Sequence, residues 1–119
     1  MVEDDPTLRG LIVDVLRGSG RFAASGAGGV GEAEDLLGRP EEPVAAILLD
    51  TNLPDGDGLA WCLKLRLGGF SNPIVILTGR GGSEAERRSL DHGATAHIQK
   101  PVNMMDLLDR LSALLSRPA

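Results

Sequence analysis

The sequence predicts an α/β fold in three layers, a parallel sheet with helices on both faces. Two apolar runs carry the prediction. Val44 to Leu49 and Ile74 to Leu77 are short, bounded by turn formers, and apolar throughout, as strands buried on both faces are. Each is followed by a segment with helical spacing, and alternating strands and helices build parallel sheets with right-handed crossovers. The 119 residues, 42% hydrophobic and 24% charged, fit one soluble domain spanning residues 1–119.

Taken in order, Met1 and Val2 form a two-residue apolar stub followed by Glu3, Asp4 and Asp5. Pro6 suits the first turn of a helix with Asp5 as its N-cap. Leu8, Leu11, Ile12, Val15 and Leu16 then share one helical face, with Arg9, Asp14 and Arg17 outward, until Gly18 and Gly20 stop the helix. Arg21 to Ala27 is a weak strand without β-branched residues, and Gly26 to Gly31 a loop. A short helix from Glu32 to Gly38 turns Ala33, Leu36 and Leu37 inward, and Pro40 and Pro43 close it.

After the central strand, Pro54, Asp55 and Gly56 make a turn. A third helix runs from Leu59 to Leu67 with Leu59, Cys62, Leu63 and Leu67 as its apolar set; Trp61 is left undecided between core and surface. Ser83 with Glu86 reads as a capping box for a fourth helix ended by Gly93. Thr95 to Gln99 is a modest strand leading to Lys100-Pro101. The final helix, from about Asn103 to Ser116, places Leu107, Leu108, Leu111, Leu114 and Leu115 on one side.

Composition narrows the function. A net charge of -5 without a Lys or Arg cluster argues against direct nucleic-acid binding. The single cysteine, Cys62, excludes an internal disulfide, and no apolar run reads as a signal sequence or membrane span. A cytoplasmic location is the default expectation. The chemistry should lie at the rim where parallel strands end, because ligands of such sheets gather there. By that rule Glu3, Asp4, Asp50, Thr78 and Lys100 converge. Three carboxylates form a hard, all-oxygen site suited to Mg²⁺ rather than zinc, and unneutralised they are costly. Lys100 adds a point charge for a phosphate oxygen and Thr78 a hydroxyl. Such a set can bind and transfer a phosphoryl group, with a carboxylate as nucleophile.

The acids after the first apolar residues, LLDTNLPDGDG, LTG, and Lys-Pro before the last amphipathic helix together resemble the receiver domain of bacterial response regulators. The resemblance covers nearly the whole chain. It implies a CheY-like, flavodoxin-type fold with five parallel strands in the order 2-1-3-4-5, its first strand here shortened. It makes Asp50 the phosphoryl acceptor from a sensor histidine kinase or phosphotransfer protein in a two-component system. Asp4, Asp50 and the main-chain carbonyl of Asn52 would bind Mg²⁺, with Glu3 acting through a water. Thr78 would bond the phosphoryl oxygen, Lys100 would pair with it, and Lys100-Pro101 would be cis. The family's switch aromatic corresponds to His97, which reads equally as a charge-carrying switch near the phosphate or as a half-buried sheet residue. His92 reads as a partner for a helix C-terminus. Output would pass through the face formed by the fourth helix, the last strand and the last helix. The protein would be no enzyme beyond assisting its own aspartyl phosphorylation and dephosphorylation. Asn52 and Arg80 border the site and would tune access of water.

Two features depart from the family pattern. Only Met1 and Val2 precede the acids; losing about four buried apolar side chains, at roughly 1.5 to 3 kcal/mol each, would consume most of a domain's stability. Upstream residues outside this sequence, a shortened start, or a strand supplied by a partner molecule would each account for it. Thr95 and Ala96 stand where DNA-binding relatives of the OmpR type carry acids for dimer pairing, although Asp106 and Arg110 remain. That puts a homodimer through this face in doubt. Alternative functions are a receiver-like scaffold that is never phosphorylated, and a Mg²⁺-dependent phosphohydrolase resembling the haloacid dehalogenases. The latter wants a second Asp two residues after the first, where Asn52 stands. Arg117-Pro118-Ala119 leaves an effector domain or a free-standing unit equally open.

Overall fold

The computed structural model describes residues 1–79 and 81–116. The expectations for Arg80 and for Arg117-Pro118-Ala119 lie outside the described residues. The elements follow as α1 (Pro6–Gly18), α2 (Val30–Leu37), β1 (Ile47–Asp50), β2 (Asn52–Leu53), β3 (Gly56–Asp57), α3 (Gly58–Leu67), β4 (Ile74–Thr78), α4 (Ser83–Asp91), β5 (Ala96–Gln99) and α5 (Met104–Leu115). Strands β1, β4 and β5 form a parallel sheet in the order β1-β4-β5.

The sheet continues beyond β1 through single residues. Val2 bridges Leu49 on one side and Ala27 on the other, both in parallel sense. Its N–H donates to the Leu48 carbonyl at 2.8 Å, and its carbonyl accepts from Asp50 N at 2.9 Å. Five segments therefore lie side by side in the expected order 2-1-3-4-5, with the first two reduced to one bridging residue each. The expected strand from Arg21 to Ala27 is not regular: without β-branched residues, only Ala27 joins the sheet. The slot of the first strand is taken by the chain's own Val2. An apolar groove lined by Leu16, Phe22, Ala27, Leu48 and Trp61 runs beside these shortened segments.

Alternation along the strands divides the core into two. Ile47, Leu49, Ile74 and Ile76 face one side with Val2, Ala33, Trp61 and Cys62, under α2 and α3. Leu48, Val75, Leu77 and Ile98 face the other with Ile12, Leu16, Leu107, Leu108 and Leu111 of α1 and α5. Several inward sets differ from expectation. On α3, Leu63 and Leu67 are exposed while Trp61 is buried, because the helix approaches the sheet through Trp61 and Cys62. On α1, Leu11 is exposed and Val13 buried. Helix α2 begins at Val30, inside the expected loop, and Ser83 is the first residue of α4 rather than its cap, a place Gly82 takes without a side-chain bond. Asp5 and Asn103 cap α1 and α5 with their side chains.

Arg66 was given no role by its position in the sequence, yet it ties α3 to the start of β4 and β5. Its guanidinium donates to the carbonyls of Gly93 (2.8 Å), Phe70 (2.9 Å) and Asn72 (2.7 Å) and to Thr95 Oγ1 (3.1 Å). Thr95 Oγ1 also accepts from Ile74 N and Thr95 N donates to the Ile74 carbonyl at 2.7 Å, so Thr95 meets β4 through both side chain and backbone just before β5 begins at Ala96. No helix of the described residues is long and apolar enough to cross a membrane.

Candidate functional site

Register decides which side chains meet. Leu49 lies beside Val2, so Glu3 and Asp4 leave the sheet at the level of Asp50. Asp50 is level with Leu77, which puts Thr78 one step beyond it. Thr78 is level with Gln99, and Lys100 N donates to the Thr78 carbonyl at 2.8 Å. The five polar residues thus end at one rim, as the strand-end rule requires.

The acids form a tight group. One carboxylate oxygen from each of Glu3, Asp4 and Asp50 lies within 4.8 Å of the others; Glu3 and Asp50 are buried and Asp4 is exposed. Lys100 Nζ reaches Glu3 Oε2 at 3.2 Å and Asp50 Oδ1 at 3.6 Å. Burial chiefly, and the neighbouring Asp50 carboxylate next, raise the pKa of Glu3 above the usual carboxylate range, while Lys100 pulls it down. A hard, oxygen-only donor set with surplus negative charge fits a small divalent cation such as Mg²⁺.

The segment after Asp50 is folded against it. Asn52 N donates to Asp50 Oδ1 at 3.4 Å, and Asn52 pairs with Asp57 while Leu53 pairs with Gly56 in an antiparallel hairpin. Gly58 N donates to the Thr51 carbonyl at 2.9 Å. A Cβ at Gly58 would strike the Asp50 carbonyl, so only glycine lets α3 start against the end of β1. Thr51 Oγ1 contacts Thr78 Oγ1 at 3.3 Å. Asp55 sits in the hairpin turn, as read from the sequence, and its side chain also accepts from Val30 N (2.8 Å) and Gly31 N (2.9 Å) at the start of α2.

His97 is half-buried on the face of β5 toward α4, where its Nδ1 lies 2.8 Å from Ser89 Oγ. Ser89 is fully buried. Its hydroxyl also reaches the Ala85 carbonyl at 3.2 Å. Lys100-Pro101 is cis. His92 caps the C-terminal end of α4, its Nδ1 2.8 Å from the Arg88 carbonyl. Glu3, Asp4, Asp50, Thr78 and Lys100, singled out in the sequence, lie together at this rim; no signal in the sequence pointed to the Asp55 contact with α2, 24 and 25 residues away, or to Ser89, whose partner His97 lies on the next strand.

Comparison with known proteins points one way. The family model for the response regulator receiver domain matches residues 1–112. The transcriptional regulatory protein PmrA of Pectobacterium parmentieri is 34% identical over 117 residues, covering 98% of this chain and 51% of the relative. Response regulator MprA of Mycobacterium sp. (strain KMS) is 36% identical over 119 residues, covering 98% and 50%. The chain spans about half the length of the curated relatives it matches. Among solved structures, the BeF3-activated N-terminal receiver domain of Klebsiella pneumoniae RstA superposes with a TM-score of 0.86 at 35% identity, over 98% of this chain and 96% of that one. The receiver domain of Francisella response regulator 1452 shares the fold, with a TM-score of 0.90 at 23% identity, over 98% and 93%.

Proposed function

Because this chain belongs to the response regulator receiver domain family, we propose that Asp50 is its phosphoryl acceptor and that residues 1–119 form one receiver unit. Receiver domains of two-component response regulators signal through phosphorylation of an aspartate. The observation that carries the assignment is the placing of Lys100 Nζ, 3.2 Å from Glu3 and 3.6 Å from Asp50, within a group of three carboxylates at the strand ends.

The chain's residues divide the work. An Asp50 carboxylate oxygen attacks the phosphorus of a phosphohistidine on a sensor kinase or phosphotransfer protein. The new O–P bond forms as the P–N bond breaks, and its electron pair stays on the imidazole nitrogen. Lys100 then moves its charge to a phosphoryl oxygen, and the Thr78 hydroxyl donates to another. Asp4, Asp50 and the Asn52 carbonyl would hold Mg²⁺, with Glu3 acting through a water, and the bound ion would supply charge neutralisation for the phosphoryl group. Nothing further is catalysed beyond the chain's own aspartyl phosphorylation and its reversal.

Signalling follows from the added charge, close to two units with three acceptor oxygens. It draws Thr78 and Lys100 inward, and His97 follows as the switch residue. The face of α4, β5 and α5 then changes for an effector domain or partner protein, in a cytoplasmic two-component pathway. A homodimer through that face lacks acids at Thr95 and Ala96. The test is intact mass after incubation with Mg²⁺ and acetyl phosphate. One phosphoryl group should add to the wild-type chain and none to Asp50→Ala. No gain in the wild type would favour an unphosphorylated scaffold; a gain that survives the substitution would remove Asp50 as acceptor.

A further inference from the structure

Resting on the Mg²⁺ reading above, we infer that Asp55 is a positioning residue, a strap that holds the Asn52 carbonyl in place for the metal. A main-chain ligand has no side chain of its own to aim it. Its position is that of the loop that carries it. Here the loop is the hairpin of β2 and β3, two residues on each side, far too short to be rigid alone.

The base of the hairpin is fixed twice: Gly58 N donates to the Thr51 carbonyl, and Asp57 caps α3 through Leu59 N at 3.0 Å. The tip is fixed by Asp55. Its two oxygens take one N–H each, from Val30 at 2.8 Å and Gly31 at 2.9 Å, across 25 and 24 residues of chain. Both bonds are charge-assisted and lie at the positive end of α2. The strap therefore docks the tip of the phosphoacceptor loop on a separate helix.

A second feature of the sequence agrees. Gly29, the residue before α2, has extended backbone that any residue adopts, at φ -173, yet a Cβ there would lie 2.5 Å from Asp55 Oδ1. The absent side chain makes room for the carboxylate. Gly29→Ala should accordingly push Asp55 off the helix without altering any acid.

The experiment measures Mg²⁺ affinity by calorimetry, and protection of the Val30 and Gly31 amides by hydrogen exchange without metal. In Asp55→Ala the two amides should lose protection and the Mg²⁺ dissociation constant should rise about three- to tenfold, the effect of one or two lost hydrogen bonds. Asp55→Asn, which keeps one acceptor oxygen, should fall between. Gly29→Ala should reproduce both changes. At saturating Mg²⁺ the rate of phosphorylation by acetyl phosphate should return to the wild-type value, which a general loosening of the fold would not allow. Unchanged Mg²⁺ affinity after the amides lose protection would overturn the proposal, as would a loss of rate that saturating metal fails to restore. A wild-type chain that binds no Mg²⁺ would overturn the functional reading itself, and this proposal with it; the wild-type titration tells the two failures apart.

Discussion

Replacing Asp50 with Asn should make the metal-free protein more stable, although it removes the acceptor. Asp50 and Glu3 are both buried, with oxygens within 4.8 Å. At an effective dielectric constant of about 20, two like charges at that distance repel by about 3.5 kcal/mol. Asp4 adds about half as much, about 1.7 kcal/mol, because it is exposed and screened. Against this stands the attraction of Lys100 at 3.6 Å, about 4.6 kcal/mol on the same scale. Charge terms alone nearly cancel. The variant also escapes the desolvation of a buried carboxylate, and Lys100 keeps its partner Glu3 at 3.2 Å. The balance favours Asp50→Asn by about 1–2 kcal/mol, or about 4–8 °C in Tm for a domain of this size. Thermal unfolding in EDTA measures it. Added Mg²⁺ should then stabilise the wild type more than the variant and narrow the gap. If Asp50→Asn melts at or below the wild type in EDTA, the acids are not in conflict and the electrostatic argument is wrong.

Two further outcomes follow from contacts outside the acid group. Arg66→Met removes four hydrogen bonds and the cation from the Phe70 ring, 5.9 Å from its centroid. With water replacing part of the loss at this half-exposed site, urea unfolding should show about 2–3 kcal/mol of destabilisation, and a value under about 0.5 kcal/mol would deny the guanidinium its bracing role. The bonds from Gly31 N and Val30 N hold the Asp55 carboxyl below its ordinary pKa. Its contribution to stability is thus complete above the unfolded value of about 3.9 and is lost as pH falls through the lower folded value. Urea midpoints of wild type and Asp55→Asn should differ by a constant amount above about pH 5 and converge in acid below about pH 4; a gap that does not shrink would show that Asp55 is not depressed.

The rim was legible because it needs little beyond the order of elements. Apolar runs ending in Asp50 and Thr78, acids after Val2, and Lys100 before a helix place polar groups at strand ends, and parallel connection sends those ends to one edge. The strength of the first strand was less legible. Val2 bonds Leu48 and Asp50 on one side while Met1 and Glu3 bond Ala27 on the other, and no count of apolar residues would suggest that so short a stretch suffices to keep the strand order. Helix α3 misled because apolar residues occur around much of its circumference; Leu63 and Leu67 were as good on paper as Trp61, and only the approach of the sheet chose between them.

What the amino-acid sequence determined, then, was the alternation of strands and helices, the identity of the acids, and the edge at which they gather, all consequences of local period and chain direction. Tertiary structure alone decided that Asp55 straps its loop to α2, that Arg66 braces three segments, and that His97 meets Ser89 on α4. Each of those is a polar contact between elements, and polar partners carry no periodic signature: distance in space, set by packing, selects them.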